Sequence, residues 1–191
     1  MRRSLGTLVL IGAVLCFSAA AGAATRDLSI SGVQAIRRTD GEGRVLFRVP
    51  ELTALSGQFV TSASLEIPLR RGVAVERDVD VYLFALSQAW SDGAATWDSP
   101  WRIPGGEWPV DDYGVAHIRS GRQGAVLHFD VSTLVRAIVD GEAPPHGFIL
   151  TAGPAEGVGR FLPGDLSALG DLAGATLHVS YHSAKRRPDR S

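Results

Sequence analysis

The 191-residue chain contains no asparagine, one lysine (Lys185), one cysteine (Cys16) and one methionine. Without asparagine there is no N-glycosylation sequon. One cysteine excludes a disulfide scaffold and every cysteine-based zinc framework. The formal net charge is −1, which argues against a nucleic-acid binder, since such proteins normally carry a basic patch or stripe. No Gly-x-Ser-x-Gly elbow is present, and Gly153 to Gly159 lacks the Gly-Lys-Ser/Thr ending of a phosphate-binding loop. Hydrophobic residues make up 45% and charged residues 20%, a globular composition sized for one domain.

Residues 1–24 have the pattern of a secretory signal. Arg2 and Arg3 precede an apolar run from Leu5 to Phe17, and Ala21-Gly22-Ala23 supplies small residues for cleavage. The run is short for a membrane span. Its removal would take Cys16 with it and leave a cysteine-free, exported protein, extracellular or periplasmic, with no stable membrane insertion. Residues 183–191 form a basic tail, expected to be disordered. Without Arg2 and Arg3 the charge is −3, and the tail carries +3, so the body at 25–182 carries about −6.

In the body the dominant signal is period two. Val45, Phe47 and Val49 alternate with Arg44, Leu46 and Arg48; Leu65, Ile67 and Leu69 with Ser64, Glu66, Pro68 and Arg70; Ala125, Leu127, Phe129 and Val131 with Val126, His128 and Asp130; and Ala175, Leu177, Val179 and Tyr181 with Thr176, His178, Ser180 and His182. Each pattern predicts a strand with one buried face. Residues 79–86 and 147–152 are apolar on both faces and predict central strands. Pro68 lacks a backbone donor, which predicts an edge or a bulge for its strand. Val131, Leu134, Val135, Ile138 and Val139 recur with helical spacing, so a short helix is expected over about 131–140. Asp130 or Ser132 can cap its start and Gly141 its end. Many short strands, glycine and proline turns and one helix predict an all-β, antiparallel sandwich of jelly-roll type.

Residues 87–114 stand apart. They hold all four tryptophans (Trp90, Trp97, Trp101, Trp108) and Tyr113. A long loop of this kind is where function concentrates.

The order of features is similar to that of the DNRLRE-type β-sandwich domains, which include modules grouped with carbohydrate-binding module family 96. Ala63-Ser-Leu-Glu-Ile67 resembles an early strand of that family. Trp90-Ser-Asp-Gly-Ala-Ala-Thr-Trp97-Asp-Ser-Pro100 resembles its paired-tryptophan motif, and Pro104-Gly-Gly-Glu-Trp108 its Gly-Gly-acidic-aromatic turn. Phe129-Asp-Val-Ser-Thr-Leu-Val135 resembles the helix block and Ala175-Thr-Leu-His-Val-Ser-Tyr181 the closing strand. Residues 25–43 and 161–170 depart from the family pattern. The resemblance implies a sandwich fold and a carbohydrate-binding role.

Trp90 and Trp97 match the motif and are expected to pin the loop to the sandwich. Trp101, Trp108 and Tyr113 fall in the variable part. Sugar recognition needs flat apolar rings for pyranose faces and polar groups for hydroxyls. Trp101, Arg102, Glu107, Trp108 and Tyr113 are therefore the expected ligand-binding residues, and the expected partner is a polysaccharide or cell-surface polymer. A structural or adhesive surface module without a small ligand is the alternative. A polysaccharide-degrading enzyme is the third reading, because Asp92, Asp98, Glu107 and Asp111 are close in sequence, although nothing sets their separation. No catalytic residue, metal ligand or cofactor is assigned, beyond a structural calcium ion that Asp111, Asp112 or turn carbonyls could hold. His178 and His182, four apart on a strand, would lie about 13 Å from each other and cannot share one zinc ion.

Overall fold

The computed structural model describes residues 23–69, 79–109, 111–118, 126–152 and 172–183. The expected signal segment, apart from its last two residues, and the tail beyond Ser183 lie outside these. Nine strands are described: β1 (Ala24–Ser29), β2 (Ser31–Arg37), β3 (Gly43–Arg48), β4 (Gln58–Pro68), β5 (Val79–Ala85), β6 (Gly114–Ile118), β7 (Val126–Asp130), β8 (Phe148–Ala152) and β9 (Thr176–Ser183). One helix, α1 (Ser132–Val139), follows β7. Among the described residues no helix is long and apolar enough to cross a membrane.

All strand pairs are antiparallel and form two sheets, β1-β9-β4-β7 and β2-β3-β8-β5-β6. Without β2, the chain crosses between sheets so that each gains four interleaved strands. That is the double Greek key of a jelly roll, with β2 added as an outer strand of the larger sheet.

The period-two patterns explain the core between the sheets. Leu65 and Ile67 of β4, Phe129 of β7 and Leu177 and Val179 of β9 face Val45 and Phe47 of β3, Val81 and Leu83 of β5 and Phe148 of β8. Phe47 and Phe148 occupy paired positions and stack with ring centroids 5.4 Å apart. Burial of such side chains contributes about 1.5–3 kcal/mol each. A 3-10 turn at Pro50–Leu55 and α1 add Leu52, Leu55, Leu134, Val135 and Ile138 to the same cluster.

The start of α1 is held differently from either capping expectation. Asp130 Oδ1 accepts the Ser132 amide at 3.0 Å and the Ser132 hydroxyl at 2.7 Å. The Ser132 hydroxyl oxygen in turn accepts the Ala63 amide at 2.9 Å, tying α1 to β4 instead of capping the helix. At the other end Gly141 has φ +80°, and the Glu142 amide reaches the Ala137 carbonyl, the glycine stop expected there. Arg136 reaches off the helix to the Val60 and Thr61 carbonyls at 3.0 and 2.6 Å, beside an irregularity in the β4–β9 register.

Pro68 departs from expectation. Its strand is central, flanked by β9 and β7. Pro68 is the last residue of β4, beyond the stretch paired with β9, so among the described strands it is paired with β7 alone.

Candidate functional site

Strand alternation places Gln34 and Ile36 of β2, Leu46 and Arg44 of β3, Ile149 of β8 and Phe84 of β5 on the outer face of the larger sheet. An ordinary sandwich leaves such a face to water. Here the chain after β5 folds back over it. Trp90, Ala95, Trp97 and Trp101 join Ile36, Leu46, Phe84, Leu86 and Ile149 in a second buried cluster. The loop is a third layer, and β5 and β8 are apolar on both faces because both faces are covered.

Polar contacts tie the loop down. Trp90 Nε1 donates to the His146 carbonyl at 2.9 Å and Trp101 Nε1 to the Thr96 carbonyl at 2.8 Å. Gln34 donates to the Ala95 carbonyl and accepts the Gly93 amide at 2.8 Å. The Ser87 amide and hydroxyl both reach the Glu107 carbonyl at 2.9 Å, closing the loop at its base.

Arginines of β3 interleave with the tryptophans. The Arg44 guanidinium lies between Trp97 and Trp108, 4.5 and 4.8 Å from the ring centroids. It donates to the Gly105 carbonyl at 2.7 Å and pairs with Glu42 at 2.8 Å. Burial lowers its pKa from the ordinary arginine value, while Glu42 pulls the other way. Arg48 sits 3.9 Å over Trp90 and binds Asp92 and the Trp90 carbonyl. Gly105, at φ +94°, is required here: a Cβ would lie 2.6 Å from Arg44 Nη1 and 2.8 Å from the Trp97 ring.

Past this covered region an aromatic rim stays open. Tyr113 is 51% exposed. Its ring stands edge-on to Tyr82 at 5.5 Å and tilted against Phe84 at 5.7 Å. Trp108, half-buried, stacks on Phe84 at 5.2 Å. Asp80 and His117, paired at 2.6 Å, continue the same face along β5 and β6. Arg102 and Glu107 form a two-point ion pair that holds the Glu107 carboxyl below the usual carboxylate range. On its far side Tyr113 borders a cleft that reaches Asp130 and Thr133 at the start of α1.

The five expected ligand-binding residues therefore divide. Trp108 and Tyr113 meet around Phe84, with the Glu107–Arg102 pair next in sequence to Trp108. Trp101 does not join them. It is 6% exposed, packed in the second cluster, and offers no face to a ligand. Tyr82 belongs to the rim and was not among the expected residues; its position in an apolar strand marked it as core. Burial is the chief cause of its raised hydroxyl pKa, with Asp80 and Tyr113 adding to it.

Several of the remaining carboxylates and histidines have local partners. Asp92 is taken by Arg48 and Glu107 by Arg102. His178 lies on a strand as expected, 2.7 Å from Asp27 and 3.7 Å from Glu66, while His128 lies 3.3 Å from Glu66, making a polar row across the smaller sheet. Among the described residues no group of three or more His, Cys, Asp or Glu side chains is placed to hold a metal ion. Neither a protein-family model nor a curated protein sequence matches the chain.

Proposed function

We propose that the chain is an exported, non-catalytic β-sandwich module that binds carbohydrate, or another extracellular polymer, through the rim of Tyr82, Trp108 and Tyr113. The observation that carries this reading is the half-exposed Tyr113 ring, held in place by Tyr82 and Phe84. A ring fixed before binding loses little rotamer freedom when a flat sugar face packs on it. The Asp80–His117 pair on the same face of β5 and β6, and the Arg102–Glu107 pair next in sequence to Trp108, supply hydrogen-bonding groups. A sandwich fold alone would support many functions, so the weight rests on the rim.

The test is a polysaccharide pull-down with the wild type, a Trp108→Ala/Tyr113→Ala double variant and Phe59→Ala. Phe59 is a still more exposed ring on the other sheet and serves as the control. Loss of binding in the double variant alone supports the reading. Retention in the double variant overturns the site assignment. A second reading, a structural or adhesive module without a small ligand, is favoured by the burial of Trp90, Trp97 and Trp101 as loop cement. Failure of the wild type to bind any glycan would select it.

A further inference from the structure

We propose that the cleft beside Tyr113 seats a protonated primary amine, so that the polymer bound at the rim is built from amino sugars with free amino groups. The inference rests on the polymer-binding reading above and narrows its ligand. The cleft has a volume of about 250 Å3 and is lined by Tyr113, Val115, Asp130, Val131, Thr133 and Leu134. Val115, Val131 and Leu134 give it apolar walls. Its polar side chains are the Asp130 carboxylate, the Thr133 hydroxyl and the Tyr113 phenol.

Asp130 is built to stay ionised and to accept. Both Ser132 bonds fall on Oδ1, which leaves Oδ2 without a partner among the described residues. The same two bonds hold its carboxyl below the ordinary aspartate value. An ammonium donating to such an oxygen adds the attraction of opposite charges to the hydrogen bond, which a neutral hydroxyl does not. An ammonium close to the Tyr113 ring gains a cation–π contact as well.

Among the described residues the nearby cations have hydrogen-bond partners of their own. Arg136 gives its guanidinium to the Val60 and Thr61 carbonyls. Arg102 is paired with Glu107, and His117 with Asp80. Asp111 and Asp112, both exposed, immediately precede Tyr113 and add negative charge. A polyanion would meet repulsion from Asp111, Asp112 and Asp130, and a neutral sugar would make no ion pair with Asp130.

The test measures binding of the full chain to three soluble tetrasaccharides by calorimetry. These are one of glucosamine, its N-acetylated counterpart and one of uronic acid. The work is done in low salt at about pH 6, between the carboxylate and amine ranges. The glucosamine ligand is expected to bind about fivefold more tightly than the N-acetylated one, the size of one exposed ion pair. Asp130→Asn should abolish that preference, because the amide still accepts the Ser132 bonds but carries no charge. Its melting temperature serves as the folding control. Tyr113→Ala should weaken every ligand that binds. If the N-acetylated ligand binds equally well and still depends on Tyr113, the amine inference falls and polymer binding stands. If Asp130→Asn keeps the preference, or none of the three ligands binds, the inference is overturned, and the pull-down above then decides the broader reading.

Discussion

Arg44 gives the sharpest test of how the third layer is held. Its guanidinium is sandwiched between Trp97 and Trp108 and hydrogen-bonds to the Gly105 carbonyl. Replacing it with methionine keeps length and apolar contact but removes the charge. The loss comprises two cation–π contacts, each worth about 0.5–2 kcal/mol, and a charged hydrogen bond worth about 1.5–3 kcal/mol. Against this stands the desolvation of a side chain only 16% exposed, with Nε buried and unpartnered. Relief of that penalty returns several kcal/mol. Glu42 is not stranded, because Arg38 also pairs with it at 3.1 Å. The net expectation is a loss of about 2 kcal/mol, which lowers the melting temperature by about 4–8 °C in a domain of this size. Arg44→Lys keeps a cation over the rings but loses the planar fork, and should fall between methionine and wild type. Thermal unfolding followed by far-ultraviolet circular dichroism measures this, with the near-ultraviolet tryptophan bands as a local check. A methionine variant as stable as the wild type would refute the reasoning, as would lysine being worse than methionine.

Three further outcomes follow from the packing and the charges. Trp101→Ala should cost about 3–5 kcal/mol in denaturant unfolding, as a core truncation does, even though the residue sits in a loop. Gly147→Ala should destabilise by about 2 kcal/mol or more, read as a shifted urea midpoint, because Gly147 has φ +103° and a Cβ there would strike the Phe47 carbonyl. The Asp130 carboxyl is held below its unfolded value, so its contribution is present above the unfolded pKa and is lost as pH falls through the folded one. Ser132→Ala should therefore remove part of the stability near neutral pH and flatten its acid dependence in pH-resolved melts, with no such flattening in a distant control such as Phe59→Ala.

The strands that bury large side chains were legible in the sequence. β4, β7 and β9 alternate, β3 alternates at Val45 and Phe47 although Leu46 between them is buried under the loop, and β5 and β8 read as central from being apolar on both faces. β1, β2 and β6 were not foreseen, for a physical reason. β1 buries only Leu28 and β2 only Ile36, as outer strands exposed over most of their length. β6 turns the small Gly114 and Ala116 inward with Ile118, which leaves little hydrophobic contrast to read. The site was half legible. Composition pointed to residues 87–114, but the burial of Trp101 and the half-exposure of Trp108 depend on how the loop crosses the sheet. That path is set by contacts between residues far apart in sequence, such as Gln34 with Gly93 and Trp90 with His146.

All four tryptophans lie in or against the outer cluster and none in the core between the sheets. Tryptophan fluorescence, excited selectively, is therefore a gauge of one layer alone. A shift in emission on heating reports the loop leaving the larger sheet, whatever the state of the jelly roll beneath it. A mismatch between emission and strand content would measure how independently the outer layer comes away.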